Sequence, residues 1–334
     1  MSKRREKKNL KSSLLVLLLI AILLIASTYA WFTANTTVTI SSLNVTVEAS
    51  NGLQISTDAV DWKAIISNED IATGYSNHKN QIPTVMEPVS TVGEVADDRM
   101  KMFYGTVAPD GDGDNALTAK EETTETAGDN GKYIAFDIFL KADKAMTIDL
   151  TNSSSVTSAE TEKGLQNATR VAFLVLGHGG ADTAPATAQG WKTKEALAIW
   201  EPNAGSHTTV AAASANSAYF GGATTVQGGA VDQTPITYYG VKDDIGTPIK
   251  LSQVNTDGAD TTYFTKMESG ADFTLHTTNE TMTPVTGILS LAQGITKVRV
   301  YMWVEGQDVD CDNSASGSNI TFNVQLEVPD DQLD

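Results

Sequence analysis

A chain of 334 residues with 41 acidic and 23 basic side chains carries a formal charge of −18, which excludes an electrostatic grip on nucleic acid or anionic membranes. Its length allows one large all-β domain or two smaller ones. The single cysteine, Cys311, excludes an intramolecular disulfide framework, so an ordinary buried core must hold the fold, with Cys311 as a small hydrophobe within it.

The N-terminal segment reverses the overall charge. Lys3, Arg4, Arg5, Lys7, Lys8 and Lys11 face only Glu6, and Leu14 to Ala26 is an unbroken apolar run of 13 residues. Thr28 and Ala30 then supply a small-x-small exit. Basic head, apolar centre and small exit make a secretory signal, with cleavage between Ala30 and Trp31. The alternative is an uncleaved anchor, because Leu14 to Phe32 falls within the roughly 17–25 residues that span a bilayer. Membrane contact is expected only through residues 14–32, and only if they are retained. Either way the remainder is exported, and from Trp31 onward 17 basic residues meet 40 acidic ones.

Beyond residue 32 the pattern is one of strands. Val38 and Ile40 occupy one phase of a two-residue period, whereas Leu43, Val45 and Val47 occupy the other, so a bulge or a break lies between. The phase change sets a candidate arm at 31–42 apart from a domain at 43–334. One account is a bulged first strand within the domain. The other is a donor arm, with contacts at Phe32, Thr36, Val38 and Ile40, that is freed by cleavage and pairs with the open edge of another copy. "GLQIS" (52–56), "KMFYGTV" (101–107), "YIAFDIFLK" (133–141), "TIDLT" (147–151, its expected partner), "ALAIW" (196–200) and "ITYYGV" (236–241) read as strands. "RVAFLVLG" (170–177) is apolar on both faces and reads as a central strand. "KVRVYMWVE" sets Val298, Val300, Met302 and Val304 against Lys297, Arg299, Tyr301 and Trp303. "NITFNVQLEV" alternates five times, with Ile320, Phe322, Val324, Leu326 and Val328 inward. One-face-buried strands of this kind predict an antiparallel two-sheet sandwich, jelly-roll-like, behind an N-terminal signal helix. Long loop insertions are expected around 154–168, 178–190 and 202–231, the last without a charged residue.

The leader, the "TYAWFTANTTV" that follows it and the acidic β-rich body resemble the TasA/camelysin-type exported proteins of Gram-positive bacteria, in which Ala-aromatic follows the leader directly. The closing "VYMWVEGQDVDCDNSASGSNITFNVQLEV" (300–328), "MEPVST" (86–91) and "IWEPNA" (199–204) are similar to surface proteins of anaerobic Gram-positive bacteria. The resemblance implies a jelly-roll sandwich processed by a dedicated signal peptidase. It also implies subunits joined head to tail by an N-terminal donor strand, so the expected partner is another copy of the chain. Some camelysin-like relatives are described as metallopeptidases, which gives a third reading.

Chemistry-bearing motifs are few. "DGDGDNALTAKE" places Asp110, Asp112 and Asp114 at positions 1, 3 and 5 of a calcium loop, the Ala116 carbonyl at 7 and Glu121 at 12, a spacing suited to six to eight hard oxygens. Asn115 stands where the loop glycine belongs and neither flank reads as a helix, so a structural calcium site competes with a solvated acidic turn. Glu305, Asp308, Asp310 and Asp312 form a second acidic cluster, either another cation site or a hairpin turn. The histidines His78, His178, His207 and His276 are scattered, with no H-E-x-x-H, G-x-S-x-G or C-x-x-C, so no enzyme is predicted. Trp191, Trp200 and Trp303 beside Tyr301 would suit a glycan platform on an anchored binding module, or core packing. The reading favoured by the sequence is an exported structural subunit of the cell surface or extracellular matrix, polymerising through its N-terminal arm.

Overall fold

Apolar side chains recurring every second residue give each segment one face to bury, and in the computed structural model those faces assemble into an all-β architecture of mixed and antiparallel sheets. The structure describes residues 38–47, 52–111, 115–208, 211, 236–250, 262–278, 285–312 and 315–329. The leader, Ala30, Trp31, Phe32 and Thr36 lie outside these residues, as do Asp112 and Asp114.

In chain order the strands begin with β1 (Val38–Val47), β2 (Leu53–Ser56), β3 (Ile65–Ile66), β4 (Val85–Met86), β5 (Val89–Ser90), β6 (Val95–Ala96) and β7 (Arg99–Met100). Next come β8 (Met102–Pro109), β9 (Asn115–Glu122), β10 (Ile134–Ala142), β11 (Met146–Leu150), β12 (Ser155–Ser158), β13 (Thr169–Gly179) and β14 (Ala196–Glu201). The last are β15 (Tyr239–Val241), β16 (Ile245–Lys250), β17 (Phe264–Lys266), β18 (Thr274–Thr277), β19 (Val285–Leu291), β20 (Gly294–Val304) and β21 (Asn319–Glu327). Two short helices, α1 (Asn68–Thr73) and α2 (Pro185–Gln189), and two 3-10 turns (Thr161–Lys163 and Leu165–Ala168) complete the described elements. Helix α1 starts in a capping box, where Ser67 and Asp70 satisfy each other's backbone amides.

A seven-stranded sheet runs β19-β11-β21-β1-β3, with β12 also on β21 and β4 also on β1; a six-stranded sheet runs β18-β14-β13-β20-β10-β2. A four-stranded sheet, β16-β9-β8-β5, and the pairs β6–β7 and β15–β17 are smaller. The expectation of purely antiparallel sheets needs correction, because β1 pairs with β21 and β14 with β18 in parallel. The expected partnership of β10 with β11 is not formed either: β11 joins the seven-stranded sheet, on β19 and β21, and β10 pairs with β20 and β2.

The main apolar core draws on both large sheets, with Leu43, Val45, Phe322 and Val324 from one and Phe136, Ile138, Phe173 and Val300 from the other. Cys311 is buried in the same core. A second core lies on the opposite face of the six-stranded sheet, where Ala172, Leu174, Tyr301 and Trp303 meet Val89, Met100, Met102 and Tyr238. Consequently every residue of β20 is buried, on both faces. Central β13 is buried from Thr169 to Gly177, as its unbroken apolar run predicts. It bulges between Val175 and Gly177, where a Cβ on Gly177 (φ +145°) would stand 2.7 Å from the Trp191 ring.

The phase change in the first strand proves to be a bulge. Thr39 and Ile40 pair with Asn319 and Ile320, Ser42 pairs with Thr321, and Ser41 is the extra residue that lets Val38, Leu43 and Val45 all face the core. Val38–Val47 is therefore one strand that runs across the expected 42/43 boundary. Its other side carries β4 at Val38 and Thr39 and β3 at Val45 and Thr46. Of the expected arm contacts, Val38 and Ile40 are seated within their own chain, Ile40 on β21 and Val38 on β4. The expected loop at 154–168 is corrected too, since it holds β12 and its residues Leu165–Ala168 are buried. Likewise Pro202–Ser206, the root of the insertion at 202–231, is buried.

If β1 is integral to its own sheet, Leu43→Ala should destabilise the monomeric protein by about 2–5 kcal/mol in urea unfolding. Ser41→Ala, at the exposed bulge, should change stability by no more than about 0.5 kcal/mol.

Candidate functional site

Charged residues on a strand covered from both sides must be answered by protein groups, and the outer face of the six-stranded sheet carries two such clusters. The first is centred on Asp137 of β10, directly opposite Arg299 of β20. The guanidinium grips the carboxylate with two bonds, Nε to Oδ1 at 2.7 Å and Nη2 to Oδ2 at 3.0 Å. Its Nη1 donates to Glu125 at 2.9 Å and to the Asp98 carbonyl at 3.0 Å. Lys297 Nζ lies 3.1 Å from Asp137 and donates to the Gln189 carbonyl at 2.8 Å; the Tyr75 hydroxyl donates to the same carboxylate at 2.6 Å. Burial alone would raise the pKa of Asp137, but Arg299, followed by Lys297, holds it well below the usual carboxylate range. Burial pushes Glu125 upward despite Arg299. Two cations and two carboxylates balance here, tying the segments around Tyr75, Asp98, Glu125 and Gln189 to the sheet.

The second cluster lies at the other end of that face. Arg170 of β13 sits opposite Trp303 in the ladder and is fully buried. It pairs with Glu201 of β14 at 2.7 Å and with Asp308 at 2.6 Å, its guanidinium 4.9 Å from the centre of the Tyr238 ring. Beside it Glu305 accepts from Trp303 Nε1 at 3.1 Å and from the Gln307 amide at 3.1 Å. Asp310 accepts from the Thr208 amide at 2.9 Å and pairs with His207 Nδ1 at 2.8 Å. Burial raises Glu201 and Glu305 to about 7 and Asp310 to about 6. The anticipated acidic group of Glu305, Asp308, Asp310 and Asp312 is thus brought together and buried. The first three residues spend their oxygens on Trp303, Arg170, His207 and backbone amides. Sequence reasoning missed Asp137, Arg170 and Glu201. The available signal was a single charge at the edge of, or inside, an otherwise apolar run: "AFDIF", "TRVAF" and "IWEP".

The second half of the first acidic motif is drawn out in a strand. Asn115 to Glu122 is the second strand of a hairpin, with Ala116 opposite Ala108 and Glu121 opposite Phe103. Six residues of extended chain separate Glu121 from Asn115, about 20 Å, and Glu121 is bonded to Arg99. Asp110 stays at the turn, 3.3 Å from Lys250. Strand pairing thus carries Glu121 too far along the hairpin to close a site on Asp110. Among the described residues no group of three or more His, Cys, Asp or Glu side chains is arranged to hold a metal ion. The histidines do not converge: His178 pairs with Glu195, His207 with Asp310, and His276 lies on β18. The aromatic platform does not form either, since Trp200, Trp303 and Tyr301 are all in the interior. Comparison with protein-family profiles, with curated proteins and with solved structures returns no match, so function has to be argued from this geometry.

Asp137→Asn should cost about 3–5 kcal/mol at neutral pH by leaving Arg299 and Lys297 buried without their counter-charge. Glu87→Gln, in the exposed pair with Lys132, should cost at most about 1 kcal/mol. Because the folded pKa of Asp137 is depressed, its contribution is complete above the ordinary aspartate value of about 3.9. It is lost only as pH falls through the lower folded value, which acid-unfolding curves of the two variants would reveal.

Proposed function

We propose that this protein is an exported structural subunit of a bacterial cell surface or extracellular matrix. In this reading the leader at 1–30 is removed at Ala30–Trp31, and the two large sheets form a jelly-roll-like sandwich. Subunits add to one another by exchange of the N-terminal strand. One observation carries the proposal: β1, the first described strand, completes the seven-stranded sheet by pairing in parallel with the last, β21, through eight residue pairs. Without β1, one edge of β21 loses its ladder and the core loses Val38, Leu43 and Val45. That vacancy fits the same strand whether it comes from its own chain or from a neighbour. Exchange of an identical element costs little because every contact is re-formed. Donor strand and vacated seat are different surfaces, so the contact is heterologous and runs on without closing. The seat in the isolated chain is then the closed, self-filled state of the subunit.

Mass spectrometry of the native N-terminus should give Trp31 as the first residue; Met1 or Ser2 would favour a retained anchor. Thr39 and Asn319 are parallel partners, about 4.8 Å apart as neighbouring strands, within reach of a disulfide. A Thr39→Cys/Asn319→Cys variant isolated from the cell surface and oxidised should run as a ladder on a non-reducing gel. Internally linked monomers alone would end the exchange mechanism. Cys311 is buried and does not compete.

A further inference from the structure

Residues 202–208 leave β14 without forming a strand. Ala204 N–H bonds the Thr278 carbonyl at 2.9 Å, and side chains supply most of the remaining attachment. Asn203 donates to the Val156 and Gln166 carbonyls at 3.1 and 2.9 Å, and Asp310 holds both His207 and the Thr208 amide. At the root of this strap Glu201 meets Arg170, which also holds Asp308. The strap is therefore fastened to the β20–β21 connection through a single knot of charge.

Several elements face that knot with titratable or charged groups. β13 supplies Arg170, β14 supplies Glu201 and the strap supplies His207. The β20–β21 connection brings Glu305, Asp308, Asp310, Asp312 and the Cys311 thiol. Tyr238 lies against the guanidinium, and the 3-10 turn at 165–168 presents only the neutral amides of Gln166 and Asn167. One permanent positive charge thus faces four carboxyl groups, Glu201, Glu305, Asp308 and Asp310, each at least nine-tenths buried. Uncompensated charge at such depth is expensive, so some of these carboxyls keep their protons while the knot is closed.

We propose that this cluster is a pH-operated clasp: protons held by Glu201, Glu305 and Asp310 keep residues 202–208 fastened to the β20–β21 connection, and loss of those protons loosens the strap. Burial raises Glu201 and Glu305 to about 7 and Asp310 to about 6, above the ordinary values of about 4.3 and 3.9. Groups raised in the folded state contribute fully below their unfolded values, and the contribution is lost as pH climbs through about 6 to 7. The strap is closed in mild acid and loosened from neutral pH upward.

Hydrogen exchange of the full chain, compared at about pH 5.5 and about pH 8 after correction for intrinsic exchange rates, tests this. Peptides covering 199–208 and 305–312 should open at least about tenfold more often at the higher pH, while those within 171–176 and 296–302 stay unchanged. A Glu201→Gln/Glu305→Gln variant should suppress the difference. Equal protection of the strap at both pH values would overturn the clasp, as would a full pH response persisting in the double variant. Should the double variant fail to fold, the wild-type comparison decides by itself.

Discussion

The carboxylate of Asp137 sits in a sheet with no solvent on either side, so its charge has to be met by protein. Arg299 meets it from the neighbouring strand, Lys297 from two residues away and Tyr75 from a covering loop. Each of these groups brings its own segment with it: Lys297 fixes the Gln189 and Trp191 carbonyls, and Arg299 fixes Glu125 and the Asp98 carbonyl. The segments around Tyr75, Asp98, Glu125 and Gln189 are thereby held against the sheet by polar bonds as well as by apolar contacts. A merely hydrophobic face would attract the same segments without specifying their register.

The second cluster obeys the same rule with a different balance. Arg170 is a single cation among several carboxylates, and burial raises those that it does not fully answer. One face of one sheet thus carries one knot built around a carboxylate held in its charged form and another in which buried carboxyls outnumber the cation. The apolar band of Tyr301, Trp303, Ala172 and Leu174 lies between them.

Much of this architecture was legible in the chain. The alternation in Asn319–Glu327 reappears as strict alternation of buried and half-buried residues. The phase change after Ile40 marked a real irregularity, although pattern alone could not decide between a bulge and a detached arm. That choice depended on the pairing of β1 with β21, at the far end of the chain, with β3 and β4 on the other side as two-residue strands too short to leave a periodic signature. Lys297 and Arg299 were placed on one face with Tyr301 and Trp303, yet nothing local revealed that a second layer covers that face. Its cover comes from residues around 89–102 and 238, remote in sequence. The spacing of Asp110 to Glu121 could not show that Asn115–Glu122 is a strand paired with Met102–Pro109, which carries Glu121 away from Asp110.

The parallel pairing of β1 with β21 has a mechanical meaning. The chain enters β1 at Val38 and leaves β21 beyond Glu327, at opposite ends of one ladder. Tension between those two points slides the strands lengthwise past each other, so the bonds of the ladder bear the load together. In a hairpin gripped at its open end the bonds would break in succession, each bearing the whole load in turn. A molecule stretched between neighbours would meet that force with its strongest geometry.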